Sequence, residues 1–152
     1  MHQQFLCPVH RKWVSMYPLE ALEHIDVAKC KGDQLRQQQR WSEALPFLGS
    51  ALEMTEIVMK EEPQISNRLG LLYTALSVEV ADTFYRLEEP LLASDFLIES
   101  ADWLHELSCS GNVAETKKTR WQECISTLKR GAVFFTEILQ HPHVHHRHVN
   151  LH

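Results

Sequence analysis

A chain of 152 residues is long enough for one compact domain with a real core, whereas two independent domains would each be marginal. At 44% hydrophobic and 23% charged it reads as an ordinary globule, and five glycines and six prolines are too few for the many tight turns of an all-β protein. The formal net charge of −5 opposes a general nucleic-acid binder, whose footprint is a basic patch or stripe.

Residues 1–17 read as a polar N-terminal arm with an aromatic tinge. They lack the apolar run of a signal peptide, and no later stretch reaches the apolar length of a membrane span, so a cytoplasmic location is expected. Cys7, Cys30, Cys109 and Cys124 contain no CxxC pair and read as free, mostly buried thiols. The arm ends at Tyr17–Pro18, and proline suits the first helical position because its missing N–H would be unpaired there anyway.

From Pro18 to Gln39, apolar or small residues at Leu19, Leu22, Ile25, Ala28, Gly32 and Leu35 step by three and four, which predicts a helix. Ser42 caps the next, with Glu43 in the first turn where the dipole favours a carboxylate, and its ladder is Ala44, Leu48, Ala51, Leu52, Thr55 and Val58. A polar break around Pro63 precedes a third helix from about Ile65 to Leu87, through Leu69, Leu72, Leu76, Val80 and Phe84. Glu88–Glu89–Pro90 punctuates, and a fourth helix carries Leu92, Ala93, Leu97, Ala101 and Leu104. After the loop at 108–112, where Asn112 is a cap candidate, a fifth helix runs to about Leu139 through Trp121, Ile125, Leu128, Ala132 and Phe135. Five helices and no convincing strand predict an all-α domain over 18–140, followed by a disordered histidine-rich tail, 141–152.

One pattern repeats. Gly32, Leu35, Ala44, Leu48 and Ala51, moved forward 49 residues, become Ala81, Phe84, Ala93, Leu97 and Ser100, small against small and bulky against bulky. Small residues let two antiparallel helices approach closely, and bulky ones fill the space beside them. With Trp41 and Leu52, the first unit resembles the tetratricopeptide repeat; in the second, Pro90 stands where that pattern opens its turn with an aromatic. The resemblance implies antiparallel hairpins stacked as a right-handed superhelix, closed by the last helix as a cap. It also implies a groove that holds a protein or peptide. The groove-facing residues it selects are Asp26, Lys29, Asp33, Arg36 and Gln37 from the first hairpin, and Asp82, Tyr85 and Arg86 from the second. The last helix has an alternative role in homodimer formation, with Trp103, Trp121, Phe134 and Phe135 as aromatic anchors.

Two places carry metal-ligand chemistry. Cys7 and His10 are spaced so that both reach one zinc, although a structural site normally needs four ligands. The tail offers His141, His143, His145, His146 and His148, whose neutral imidazoles capture zinc or another divalent transition metal. Catalytic motifs are lacking: there is no glycine-rich phosphate loop, G-x-S-x-G elbow or H-E-x-x-H. The expectation is therefore a non-catalytic, cofactor-free adaptor or regulator that binds protein or peptide, chaperone-like use being one version. A metal-binding protein using Cys7/His10 or the tail is the alternative.

Overall fold

The computed structural model describes residues 4–110 and 113–140, and over these it is all-helical. The helices are α1 (Pro8–Met16), α2 (Pro18–Gln37), α3 (Trp41–Glu61), α4 (Ser66–Arg86), α5 (Pro90–Ser108) and α6 (Glu115–Gln140), with a 3-10 turn at Pro63–Ile65 before α4. The five expected helices are present, and a sixth occupies the segment read as an arm. Pro8 starts α1 as Pro18 and Pro90 start α2 and α5, each at a position where the absent N–H is not missed. Ser42 does not cap α3: the helix begins two residues earlier than that cap would place it, at Trp41, with Arg40 in the cap position and no side-chain cap bond. Pro46 lies inside α3, so the Ser42 carbonyl lacks its ordinary helical donor. Asn112 and the tail 141–152 lie outside the described residues.

Each of α2 to α6 packs on its neighbours in sequence, α4 also packs on α6, and α1 lies on α3 and α2. The two hairpin turns are equivalent. Arg40 N–H donates to Leu35 C=O and Gln39 N–H to Arg36 C=O, both at 2.9 Å; 49 residues on, Glu89 N–H reaches Phe84 C=O at 2.9 Å and Glu88 N–H reaches Tyr85 C=O at 3.0 Å. Both are Schellman turns, which close the last helical carbonyls through a left-handed residue. That residue is Gln39 (φ 59°) in one and Glu88 (φ 64°) in the other. Glycine is the usual choice there, because a Cβ is strained at such angles.

All five pairs of the 49-residue echo are buried: Gly32 with Ala81, Leu35 with Phe84, Ala44 with Ala93, Leu48 with Leu97, and Ala51 with Ser100. Close approach explains the small member of each hairpin. A Cβ on Gly32 would stand 2.6 Å from Leu48 Cδ2, so the glycine is what lets α3 lie against α2. The core continues through Tyr73, Leu76 and Val80 of α4 to Trp121, Ile125, Leu128 and Phe135 of α6. Burial of Trp121 and Phe135 removes them as surface anchors, and Trp103 is half-buried against Tyr73 with ring centroids 4.8 Å apart. Of the four aromatics read as a self-association surface, Phe134 alone is exposed.

Candidate functional site

The polar residues selected from sequence meet between the C-terminal halves of α2 and α4. Lys29 Nζ lies 2.7 Å from Asp33 Oδ2 and 3.1 Å from Glu79 Oε1. Arg36 donates to three groups of α4: the Glu79 carbonyl at 2.7 Å, Thr83 Oγ1 at 2.8 Å and Asp82 Oδ2 at 2.9 Å. Arg86 approaches Asp82 at 3.6 Å, and both guanidiniums lie over Trp41, 5.7 Å (Arg36) and 5.4 Å (Arg86) from the ring centroid. The contacts between α2 and α4 join residues 43 to 50 apart, bracketing the 49-residue echo, so the two helices run side by side in the same direction.

Electrostatics fits a clamp. Burial disfavours the Lys29 ammonium, but the bonds to Asp33 and Glu79 outweigh it and hold its pKa above 10.5. Burial pushes the Glu79 carboxyl up, Asp33 adds to that, and Lys29 opposes it. Lys29, Asp33, Arg36, Asp82 and Arg86 therefore form one network within the chain. Glu79 and Thr83 belong to it too, though nothing in the sequence singled them out, and Trp41, which stood only in the repeat pattern, lies beneath both guanidiniums. Tyr85 turns away to Phe135, with ring centroids 5.5 Å apart, and burial raises its pKa. Gln37 is exposed and joins no bond in this network.

Asp26 sits apart from these, beside an open groove between the N-terminal halves of α2 and α4. The groove has a volume of about 640 Å³ and is lined by Leu19, Leu22, Ile25, Leu69 and Leu72, with Ile65 and Gln64 from the 3-10 turn and with Asp26 and Arg68 as its charges. Leu19 is 55% exposed and Leu22 and Leu72 are half-buried, so this apolar surface faces solvent. A signal for it was present in sequence, since Leu19, Leu22, Leu69 and Leu72 all stand on the ladders that predicted the two helices.

A second recess, of about 470 Å³, lies over α3 and α5 and includes Glu53, Glu56, Lys60, Asp102 and Trp103. Burial pushes the Glu56 carboxyl up to about 7; the charge of Glu53 adds to this, while Lys60 and Arg11 pull against it. Tyr73 O–H points to Glu56 Oε1 and to the Ser100 carbonyl, both at 3.4 Å, and burial raises the phenol well above its ordinary value. Lys60 Nζ stands 5.9 Å from the Trp103 ring centroid. Glu53 is only 5% exposed at its side chain, and its carboxylate is taken up by donors from residues 5–11.

For the metal-ligand candidates, Cys7 Sγ lies 3.3 Å from His10 Nδ1, both exposed. Cys7, Cys30 and Cys109 are exposed and only Cys124 is buried, contrary to the expectation of mostly buried thiols: Cys7 and Cys109 flank helix ends and Cys30 stands on the solvent face of α2, off its apolar ladder. Among the described residues no group of three or more His, Cys, Asp or Glu is placed to hold a metal ion. His141, His143, His145, His146 and His148 lie outside those residues. Among the described residues, too, no helix is long and apolar enough to cross a membrane. No protein-family model, curated protein or solved structure matches the chain.

Proposed function

We propose that the chain is a non-catalytic adaptor or regulator of tetratricopeptide-like build, and that it takes a protein or peptide segment in the groove between α2 and α4. The observation that carries this is the division of the α2–α4 contact into two halves. One half is closed by the Lys29–Glu79 and Arg36–Asp82 bonds, and the other leaves six leucine and isoleucine side chains around an open channel, of which Ile25 and Leu69 are buried. Apolar surface at the mouth of a rigid channel is the ordinary material of peptide recognition, with a few polar groups fixing orientation. Asp26 and Arg68 supply those groups, a cation on the segment meeting the first and an anion the second.

The division also changes which residues touch the partner. Lys29 and Arg36 hold the groove in shape, whereas Leu19, Leu22 and Leu72 contact the segment. A library of random peptides displayed against the full-length protein tests this. Enriched sequences should carry apolar residues at a regular spacing, and binding should be lost in Leu22→Glu/Leu72→Glu with the helical circular-dichroism spectrum kept. Enriched peptides that bind that variant as well as the original protein would refute the assignment.

A further inference from the structure

We infer that one stripe of α3, Gly49–Glu53–Glu61, is a docking site for a protein segment, and that the chain's own residues 5–16 are a strap closing it until a partner segment of the same pattern takes their place. This rests on different residues from the α2–α4 groove and stands or falls separately.

Gly49 and Glu53, four residues apart, share one face of the helix, and Glu61, two turns further on, stands at the exposed side of the same stripe. The Phe5 ring lies directly on Gly49: a Cβ there would run into its Cγ, Cδ2 and Cε2 carbons. Beside it the Glu53 carboxylate accepts the N–H of Phe5, the N–H of Leu6 at 3.0 Å and Arg11 Nη1 at 2.9 Å. One turn past Arg11, Ser15 Oγ donates to Glu61 Oε1 at 2.9 Å. The stripe thus recognises an aromatic ring, two consecutive main-chain N–H groups, an arginine six positions after the aromatic (5 to 11) and a hydroxyl ten positions after it (5 to 15). A buried carboxylate with three donors from one segment is a built receptor, since leaving it covered and unpaired would be costly.

The strap is made to come off as a unit. Of the residues of α1 only Val14 is fully buried, while Val9 is 76% and Met16 60% exposed. A helix of nine residues does not persist alone in water, so α1 keeps its order only while α3 and α2 hold it. Tyr17 alone joins α1 to α2, and the Trp13 ring meets His24 of α2 with ring centroids 4.8 Å apart, so release of the strap also uncovers that face of α2. Release also removes one wall, Leu6, Trp13 and Val14, of an apolar cavity of about 780 Å³ whose other walls include Val27 of α2 and Phe47 of α3. A partner therefore gains that apolar surface together with the Glu53 contact. The occupant is a segment whose aromatic enters over Gly49 and whose arginine reaches Glu53.

Two measurements on the full chain test this. In native-state hydrogen exchange the amides of α1 should exchange about tenfold or more faster than those of α3 and α4, and Gly49→Ala should speed α1 alone by about another tenfold, because its methyl occupies the space of the Phe5 ring. Alanine also favours the helix over glycine, so α3 is not weakened in the process. For docking, a labelled peptide with the sequence of residues 4–17 stands in for the partner and is titrated against Phe5→Ala/Arg11→Ala. Saturable binding is expected there, weaker by at least about tenfold when Gly49→Ala or Glu53→Leu is added. Leu22→Glu/Leu72→Glu should leave the peptide bound. Protection of α1 equal to that of α3 overturns the releasable strap. Absence of saturable binding below about 1 mM, or binding indifferent to Gly49 and Glu53, overturns the docking site.

Discussion

Arg36→Ala distinguishes a clamp from a binding residue. The substitution removes one guanidinium and with it three hydrogen bonds from α2 to α4, at 2.7, 2.8 and 2.9 Å, together with the contact over Trp41. Hydrogen bonds to charged groups contribute about 1.5–3 kcal/mol each when well buried. Here the sum is smaller for three reasons. The Arg36 side chain is 22% exposed, Arg86 at 3.6 Å takes over part of the attraction for Asp82, and the Glu79 carbonyl keeps its place in the helix. The expected loss is about 2–3 kcal/mol, or about 6–9 °C in melting temperature for a chain of this length. Urea and thermal unfolding followed by circular dichroism at 222 nm measure it, and a cycle with Asp82→Ala separates the pair from the rest. Arg36→Lys should recover less than half, because an ammonium cannot reach three acceptors in the fork geometry of a guanidinium. A loss below about 0.5 kcal/mol for Arg36→Ala would refute the reasoning and return Arg36 to the role of a free surface cation. By the same logic, charge reversal at Lys29 and Arg36 damages the fold before it reports on binding, so Leu22 and Leu72 are the sounder positions for a binding test.

Two further predictions concern proton linkage and the hairpin turns. Glu56 has a folded-state pKa of about 7 against an ordinary 4.5, so the folded chain holds a proton that the unfolded chain has released. Its contribution to stability is complete below about pH 4.5 and is lost as pH rises to 7, in all about 3 kcal/mol from this one group. Glu56→Gln should flatten that part of the pH–stability curve and leave the protein more stable than the original at pH 8; an unchanged slope between pH 5 and 7 would place the proton elsewhere. Gln39→Gly and Glu88→Gly each relieve a left-handed backbone and should each stabilise by about 1 kcal/mol in urea unfolding, with additive effects because the two turns are separate. Destabilisation by either would mean that its side chain contributes more than the backbone strain costs.

What could be read in sequence follows the range of the interactions. The helices α2 to α6 were visible because their buried faces repeat every three or four residues, and the echo of Gly32–Ala51 in Ala81–Ser100 was visible because close helix packing demands small residues at fixed places. The hairpin turns were legible as breaks, but not as left-handed caps, since neither Gln39 nor Glu88 is a residue that advertises positive φ. Helix α1 went unread for a physical reason: its order comes from Glu53 and Glu61, 42 to 48 residues away, and a short helix with one fully buried residue leaves little periodicity. Lys29, Asp33, Arg36, Asp82 and Arg86 read in sequence as facing a partner, whereas the structure pairs them with one another and with α4. Their partners Glu79, Asp82 and Thr83 are 43 to 50 residues distant, and nothing local marks a lysine or arginine as already paired.

The two halves of the α2–α4 contact have opposite chemistry, and each half depends on the other. Apolar side chains attract without regard to direction, so they give no fixed length to a contact between two helices. Hydrogen bonds and ion pairs act over fixed lengths. Arg36 reaches three acceptors on α4, and α2 and α4 each pack along α3, so the spacing between them is held both by the clamp and by the shared neighbour. Leu19 therefore stays 55% exposed although Leu69 and Leu72 lie across the groove. An apolar surface held open by a polar clamp is preorganised: a segment entering it need not first pull the helices apart, and the cost of ordering falls on the segment alone. On the proposed function, then, the charges first selected as the binding face act one step back from it, keeping the leucines available.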